Sequence, residues 1–177
     1  MDLEKKRVAV LIGKGFQDQE GTVPIEFLRR EGAGVITIGP ETGEIRGLHG
    51  AVIEVERTLE EVSPEDFDAL VIPGGRSPAH LRRFPAAVDF VARFAATGKP
   101  VAAICHGGQL LAAAGLVKGL TMTGYPKIKE EMEAAGARFV DREVVVDGNI
   151  ITSRVPDDLP VFNATLKEML LGRRGRE

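Results

Sequence analysis

The stretch KPVAAICHGGQLLAAAG, residues 99–115, decides the reading of this chain. Lys99-Pro100 opens a short apolar run that ends at Ile104, and Gly107-Gly108 lead into a leucine- and alanine-rich helix. A continuous run of apolar residues, rather than an alternating one, is the mark of a strand covered on both faces of a parallel sheet. Cys105 therefore sits at a sharp strand-to-helix turn, at the carboxyl end of a central strand, where open α/β sheets bind ligands. The start of the following helix offers unpaired N–H groups and a positive dipole end, which favour a thiolate. A lone cysteine is ordinarily a small buried hydrophobe. The elbow-like setting, with glycines that permit a tight turn and close approach, makes Cys105 the expected nucleophile.

Working outward, Val8 to Ile12 and Ala69 to Ile72 repeat the same apolar pattern, and Gly34 to Ile38 is a shorter fourth strand. Helical stretches separate them: Asp18 to Glu31, Pro85 to Thr97, His106 to Ala114, Lys127 to Ala135 and Asp157 to Leu171. Gly32, Gly98, Gly115 and Gly136 follow four of these as C-terminal caps. Two segments break the alternation. Glu44 to Glu56 reads as a hairpin turning between Gly47 and Gly50, and Glu143 to Ser153 as a second hairpin around Asp147-Gly148. The expected fold is a flavodoxin-like three-layer α/β/α sandwich, with a mainly parallel sheet and two small antiparallel hairpins. No internal repeat or long linker divides the 177 residues, so residues 1–177 read as one domain with its core over about 7–171.

Composition narrows the function classes. A net charge of −3 with mixed signs gives no basic stripe for nucleic acid, and the terminal GRRGRE reads as a solvated tail. The apolar run after MDLEKKR is too short for a signal peptide or a membrane span, and one cysteine cannot form an internal disulfide. A cytoplasmic protein is expected. The single cysteine and three dispersed histidines have no metal-ligand spacing, so neither metal nor cofactor is expected.

A thiolate attacking a carbonyl needs donors for the developing oxyanion. The N–H of His106 is one candidate, and the glycine turn of LVIPGGRSP supplies a second, at Gly75 beside Gly74. His106 is the obvious base, but neighbouring helical residues do not face each other, so pairing with Cys105 requires non-helical geometry. His49 and His80 read as surface side chains. Glu20, in GFQDQEGTV, meets the sulfur if the first strand and the Cys105 strand lie close together. A carboxyl beside a thiolate is driven toward its protonated form and can relay a proton. Asp18 competes for that role.

The set GFQDQE, FDALVIPGGRSP, GKPVAAICHGGQLL, GYPKIKEEM, REVVVDGNIITSR and VPDDLPVFN resembles the DJ-one/PfpI superfamily from about Arg7 to Leu171. It is most similar to the PfpI-like branch of intracellular cysteine peptidases, protein deglycases and general stress proteins. The resemblance implies Cys105 as nucleophile, His106 as its partner, Glu20 rather than Asp18 as the acid, Gly75 as oxyanion donor and Tyr125 lining the site. It also implies a homodimer or homohexamer with the site near an interface. Two positions depart from the family pattern. Gly108 replaces the proline of CHGPQ, and Ala79 stands where many relatives carry a carboxylate that orients the histidine of a neighbouring subunit. Without that carboxylate, peptide cleavage is the weaker expectation. The expected function is a stress-protective hydrolase acting on small reactive carbonyls such as methylglyoxal, or on glycated protein or peptide substrates. An intracellular peptidase and a non-catalytic redox sensor or chaperone-like protein are the alternatives.

Overall fold

The computed structural model describes residues 2–173. Of the terminal GRRGRE segment read as a solvated tail, residues 174–177 lie outside the described residues.

The strands are β1 (Arg7–Leu11), β2 (Gly34–Gly39), β3 (Gly43–Arg46), β4 (Val52–Val55), β5 (Arg57–Thr58), β6 (Ala69–Ile72), β7 (Val101–Ile104), β8 (Thr121–Met122), β9 (Arg138–Phe139), β10 (Val145–Asp147) and β11 (Ile150–Ser153). The helices are α1 (Asp18–Arg30), α2 (Ser77–Leu81), α3 (Pro85–Ala96), α4 (Gly108–Ala113), α5 (Lys129–Ala134) and α6 (Leu159–Leu170). Seven strands form one sheet in the order β10-β11-β7-β6-β1-β2-β5, parallel throughout except for the β10–β11 pair. Its inner strands β2-β1-β6-β7-β11 carry the flavodoxin order, with the switch point between β1 and β6. The expected α/β/α sandwich is the observed one.

The unbroken apolar runs follow from coverage of both faces. Val8, Val10 and Ile12 face a cluster with Phe162 and Leu166 of α6 and Leu28 of α1. Ala9 and Leu11 face the opposite cluster with Phe90 and Phe94 of α3 and Leu110 and Leu111 of α4. Each large side chain removed from water in this way contributes about 1.5–3 kcal/mol.

Several boundaries differ from expectation. β1 and β7 are not neighbours, because β6 lies between them. The first hairpin, β3–β4, is a separate two-stranded sheet. The second is fused to the main sheet, since β11 pairs in parallel with β7 while β10 forms the edge. The helices expected from His106, Lys127 and Asp157 begin with tighter 3₁₀ turns at 105–107, 126–128 and 156–158. Helix α2 and the parallel β8–β9 pair are too short to leave a periodic pattern in the sequence.

Candidate active site

The site forms where the loops after β1, β6 and β7 meet. Phe16 bridges Gly75, Gln17 N–H donates to Gly74 O at 3.1 Å, and Arg76 N–H donates to Gly15 O at 2.8 Å. These bonds join the β1 loop to the β6 loop across the switch point. Gln17 caps α1 by accepting the Glu20 N–H at 2.9 Å, so Glu20 is delivered at the first turn of that helix.

Cys105 holds φ +62°, one of two non-glycine residues with positive φ among the described residues. This left-handed conformation costs an L-residue roughly 1–2 kcal/mol. It breaks the helical relation between neighbours and brings Cys105 Sγ to 3.3 Å from His106 Nδ1, which meets the geometric requirement raised by their adjacency. Cys105 is buried, at 6% exposure. Cys105 O accepts the Tyr125 N–H at 3.1 Å, and the Tyr125 ring stacks on His106 with centroids 4.8 Å apart.

Glu20 is fully buried. Its Oε1 accepts the Gly74 N–H at 3.0 Å, whereas Oε2 has no hydrogen bond of ordinary geometry. The remaining neighbour of the carboxyl is the Cys105 thiol, and each group shifts the other's titration. A side chain at Gly74 would place its Cβ 2.5 Å from Glu20 Oε1 and 2.8 Å from Cys105 Cβ, so only glycine admits this approach. Because its N–H is committed to Glu20, Gly74 is not the free oxyanion donor that its position in the sequence suggested.

Burial pushes the Glu20 carboxyl up to about 7, against the Gly74 N–H and Cys105, which pull it down. Burial and then the Glu20 charge push the Cys105 thiol up to about 12, opposed by the N–H groups of Gly75 and His106. The dipole of the short α4 does not by itself make a thiolate, contrary to the expectation from its start. The outcome rests on Glu20: with its proton retained, the charge that disfavours the thiolate is gone, and the carboxyl becomes a donor to sulfur. Burial and then Lys127 hold His106 below its ordinary pKa, while Glu131 acts in the opposite direction.

Asp18, the competing acid, faces elsewhere. Its carboxylate accepts the N–H groups of His49 at 2.8 Å and Ala51 at 2.7 Å, and so anchors the β3–β4 turn. His49 is exposed, as expected, but His80 is half-buried with its ring edge-on to Phe84. Ala79 lies on α2. Among the described residues, no carboxylate hydrogen-bonds His106, and no group of three His, Cys, Asp or Glu side chains is placed to hold a metal ion. Among the described residues, no helix is long and apolar enough to cross a membrane. Sequence reading missed a cluster beside His106, in which Gln109 Nε2 donates to Glu131 Oε1 at 3.1 Å and Arg82 to Glu131 Oε2 at 2.7 Å. Only the i, i+3 spacing of His106 and Gln109 hinted at it.

Together the sheet order and the strained cysteine define a flavodoxin-like α/β protein with a nucleophile-elbow thiol at the carboxyl edge of its sheet. The chain belongs to the DJ-1/PfpI family, which it matches over residues 6–169. It is 46% identical to a deglycase of Pyrococcus abyssi over 153 residues, covering 86% of this chain and 92% of that protein. It is 44% identical to the protein/nucleic acid deglycase 2 of Escherichia coli, covering 93% and 98% respectively. Among solved structures, it superposes with a TM-score of 0.92 on a two-domain Anabaena variabilis protein containing DJ-1/ThiJ/PfpI-like and ferritin-like domains. That likeness has 39% sequence identity and covers 95% of this chain and 48% of that one.

Proposed function

We propose that this chain is a cysteine-dependent hydrolase that removes reactive carbonyls or early glycation adducts, a deglycase with glyoxalase-like chemistry. The observation that carries this reading is the fully buried Glu20 carboxyl set against the strained Cys105 thiol, with N–H groups of Gly75 and His106 acting on the same sulfur. The pair holds a proton and a sulfur nucleophile side by side, which is what addition to an aldehyde requires.

In this reading Sγ bonds to the aldehyde carbon of methylglyoxal as its proton passes to His106 Nδ1, 3.3 Å away, and the carbonyl oxygen takes the proton from Glu20. An amine-bound adduct reaches the same hemithioacetal when sulfur displaces the amine, which leaves with a proton. The Glu20 carboxylate then removes the proton from the sulfur-bearing carbon and returns it to the neighbouring carbon, while the hydroxyl proton passes to the neighbouring oxygen, giving a lactoyl thioester. Water adds to the thioester carbon as the carbon–sulfur bond breaks; sulfur takes its proton back from His106, the proton of water returns to Glu20, and the lactic acid formed leaves as lactate and a proton. The N–H groups of Gly75 and His106 stabilise the oxygen as charge develops. The half-buried Tyr125 ring forms the wall behind His106.

We further propose a single domain, a cytoplasmic setting and a homodimer or homohexamer, as the family resemblance implies. Peptide cleavage is disfavoured because it asks His106 to act as a strong base while burial and Lys127 lower its pKa. The test is lactate formation from methylglyoxal, followed by NMR beside a glycated and an unmodified peptide. Wild type is expected to act on the first two, and Cys105→Ala on none. Equal lactate from the variant would overturn the proposal.

A further inference from the structure

His106 uses Nδ1 toward sulfur, which leaves Nε2 as the ring nitrogen that must carry the hydrogen if Nδ1 is to accept a proton. Among the described residues no carboxylate hydrogen-bonds His106, so another group is needed to hold that tautomer. The candidate lies one helical turn further on. Gln109 follows His106 by three residues, a spacing that puts two side chains on one helical face. Its amide is oriented by Glu131, which burial disfavours as a charge but which Gln109 and Arg82 keep below its ordinary range and ionised. An ionised carboxylate only accepts, so the Gln109 NH₂ must face it, and Gln109 Oε1 must face the other way. That oxygen is buried with no hydrogen-bond partner. A buried unpaired acceptor costs about 1–3 kcal/mol, so an orphan of this kind signals a missing donor.

We propose that Gln109 and Glu131 are the positioning residues of His106. Gln109 Oε1 accepts the His106 Nε2–H, directly or through one water, and the Arg82–Glu131 pair keeps the amide from flipping. The inference rests on the catalytic reading above only for its kinetic consequence. The groups around the imidazole are Cys105 in its own turn, Tyr125 and Lys127 from the segment after β8, Gln109 on α4 and Glu131 on α5.

The experiment reads the tautomer without substrate, by ¹⁵N chemical shifts of the imidazoles; three histidines make assignment simple. Wild type is expected in the Nε2–H form. Gln109→Leu is expected to give a tautomer mixture and to lower kcat by roughly tenfold with KM unchanged, as loss of an orienting group does. Glu131→Gln is expected to fall between the two, because a glutamine there no longer dictates the amide orientation, and Glu131→Asp to recover near wild-type behaviour. Thermal melting confirms that each variant folds. A folded Gln109→Leu that keeps the pure Nε2–H form overturns the proposal, whatever its activity. If instead Cys105→Ala still made lactate, the catalytic reading would fail while the tautomer result would still decide this one.

Discussion

Glu20→Gln separates the chemistry of the site from its cost. In the folded chain the carboxyl titrates near 7 rather than at its ordinary 4.5, chiefly because it is buried. Between these two values the native state binds more protons than the unfolded chain, so stability falls as pH rises through the window and levels off above it. The displacement corresponds to about 3 kcal/mol. Glutamine has nearly the same volume, its oxygen can still accept the Gly74 N–H, and it does not ionise. Near pH 4 the variant should match wild type in stability; near pH 8 it should be more stable by about 3 kcal/mol, while losing lactate formation. Urea unfolding of both proteins at pH 4, 5, 6, 7 and 8 measures the difference. Asp18 and Asp158, which sit below their ordinary range, lower stability in acid for both proteins and cancel in the comparison. A difference that does not change with pH would refute the reasoning, because a carboxyl paying a burial penalty must show it where it ionises.

Two other substitutions probe the loops that assemble the site. Gly75 has φ +76°, and a Cβ there would lie 2.4 Å from Gln17 N and 2.6 Å from Gly15 O. Gly75→Ala should therefore destabilise the fold by about 3 kcal/mol or more and abolish activity, as read by thermal melting and the lactate assay. Asp18→Ala removes the acceptor of two backbone N–H groups and should cost about 1–2 kcal/mol. Its signature is faster amide exchange at His49 and Ala51, with Cys105 still alkylated at the wild-type rate; a lost thiol reaction would instead place Asp18 in the chemistry.

Much of the fold was legible because a parallel sheet covered on both faces leaves continuous apolar runs, as at Val8–Ile12 and Val101–Ile104. The glycines behind the helices marked where each one stopped. Strand order was less accessible. That β6 separates β1 from β7, or that β11 joins the main sheet through β7, is settled by pairing between residues about 30 to 60 positions apart. Gly74 illustrates the same limit at the site. Its sequence context suits an oxyanion donor, and only the approach of Glu20 Oε1 takes its N–H out of use.

The sequence by itself determined that Cys105 would stand at a strand-to-helix turn, because the apolar run, the thiol and the two glycines are contiguous. It also placed an acidic pair near the start of the first helix. Tertiary structure alone decided between those acids. Residues two apart on a helix point in widely different directions, so Glu20 turns into the sheet edge beside the sulfur while Asp18 turns out to the hairpin. The protonation of the site was likewise decided there, since burial of Glu20 with one oxygen unpaired is a property of packing and not of any local run of residues.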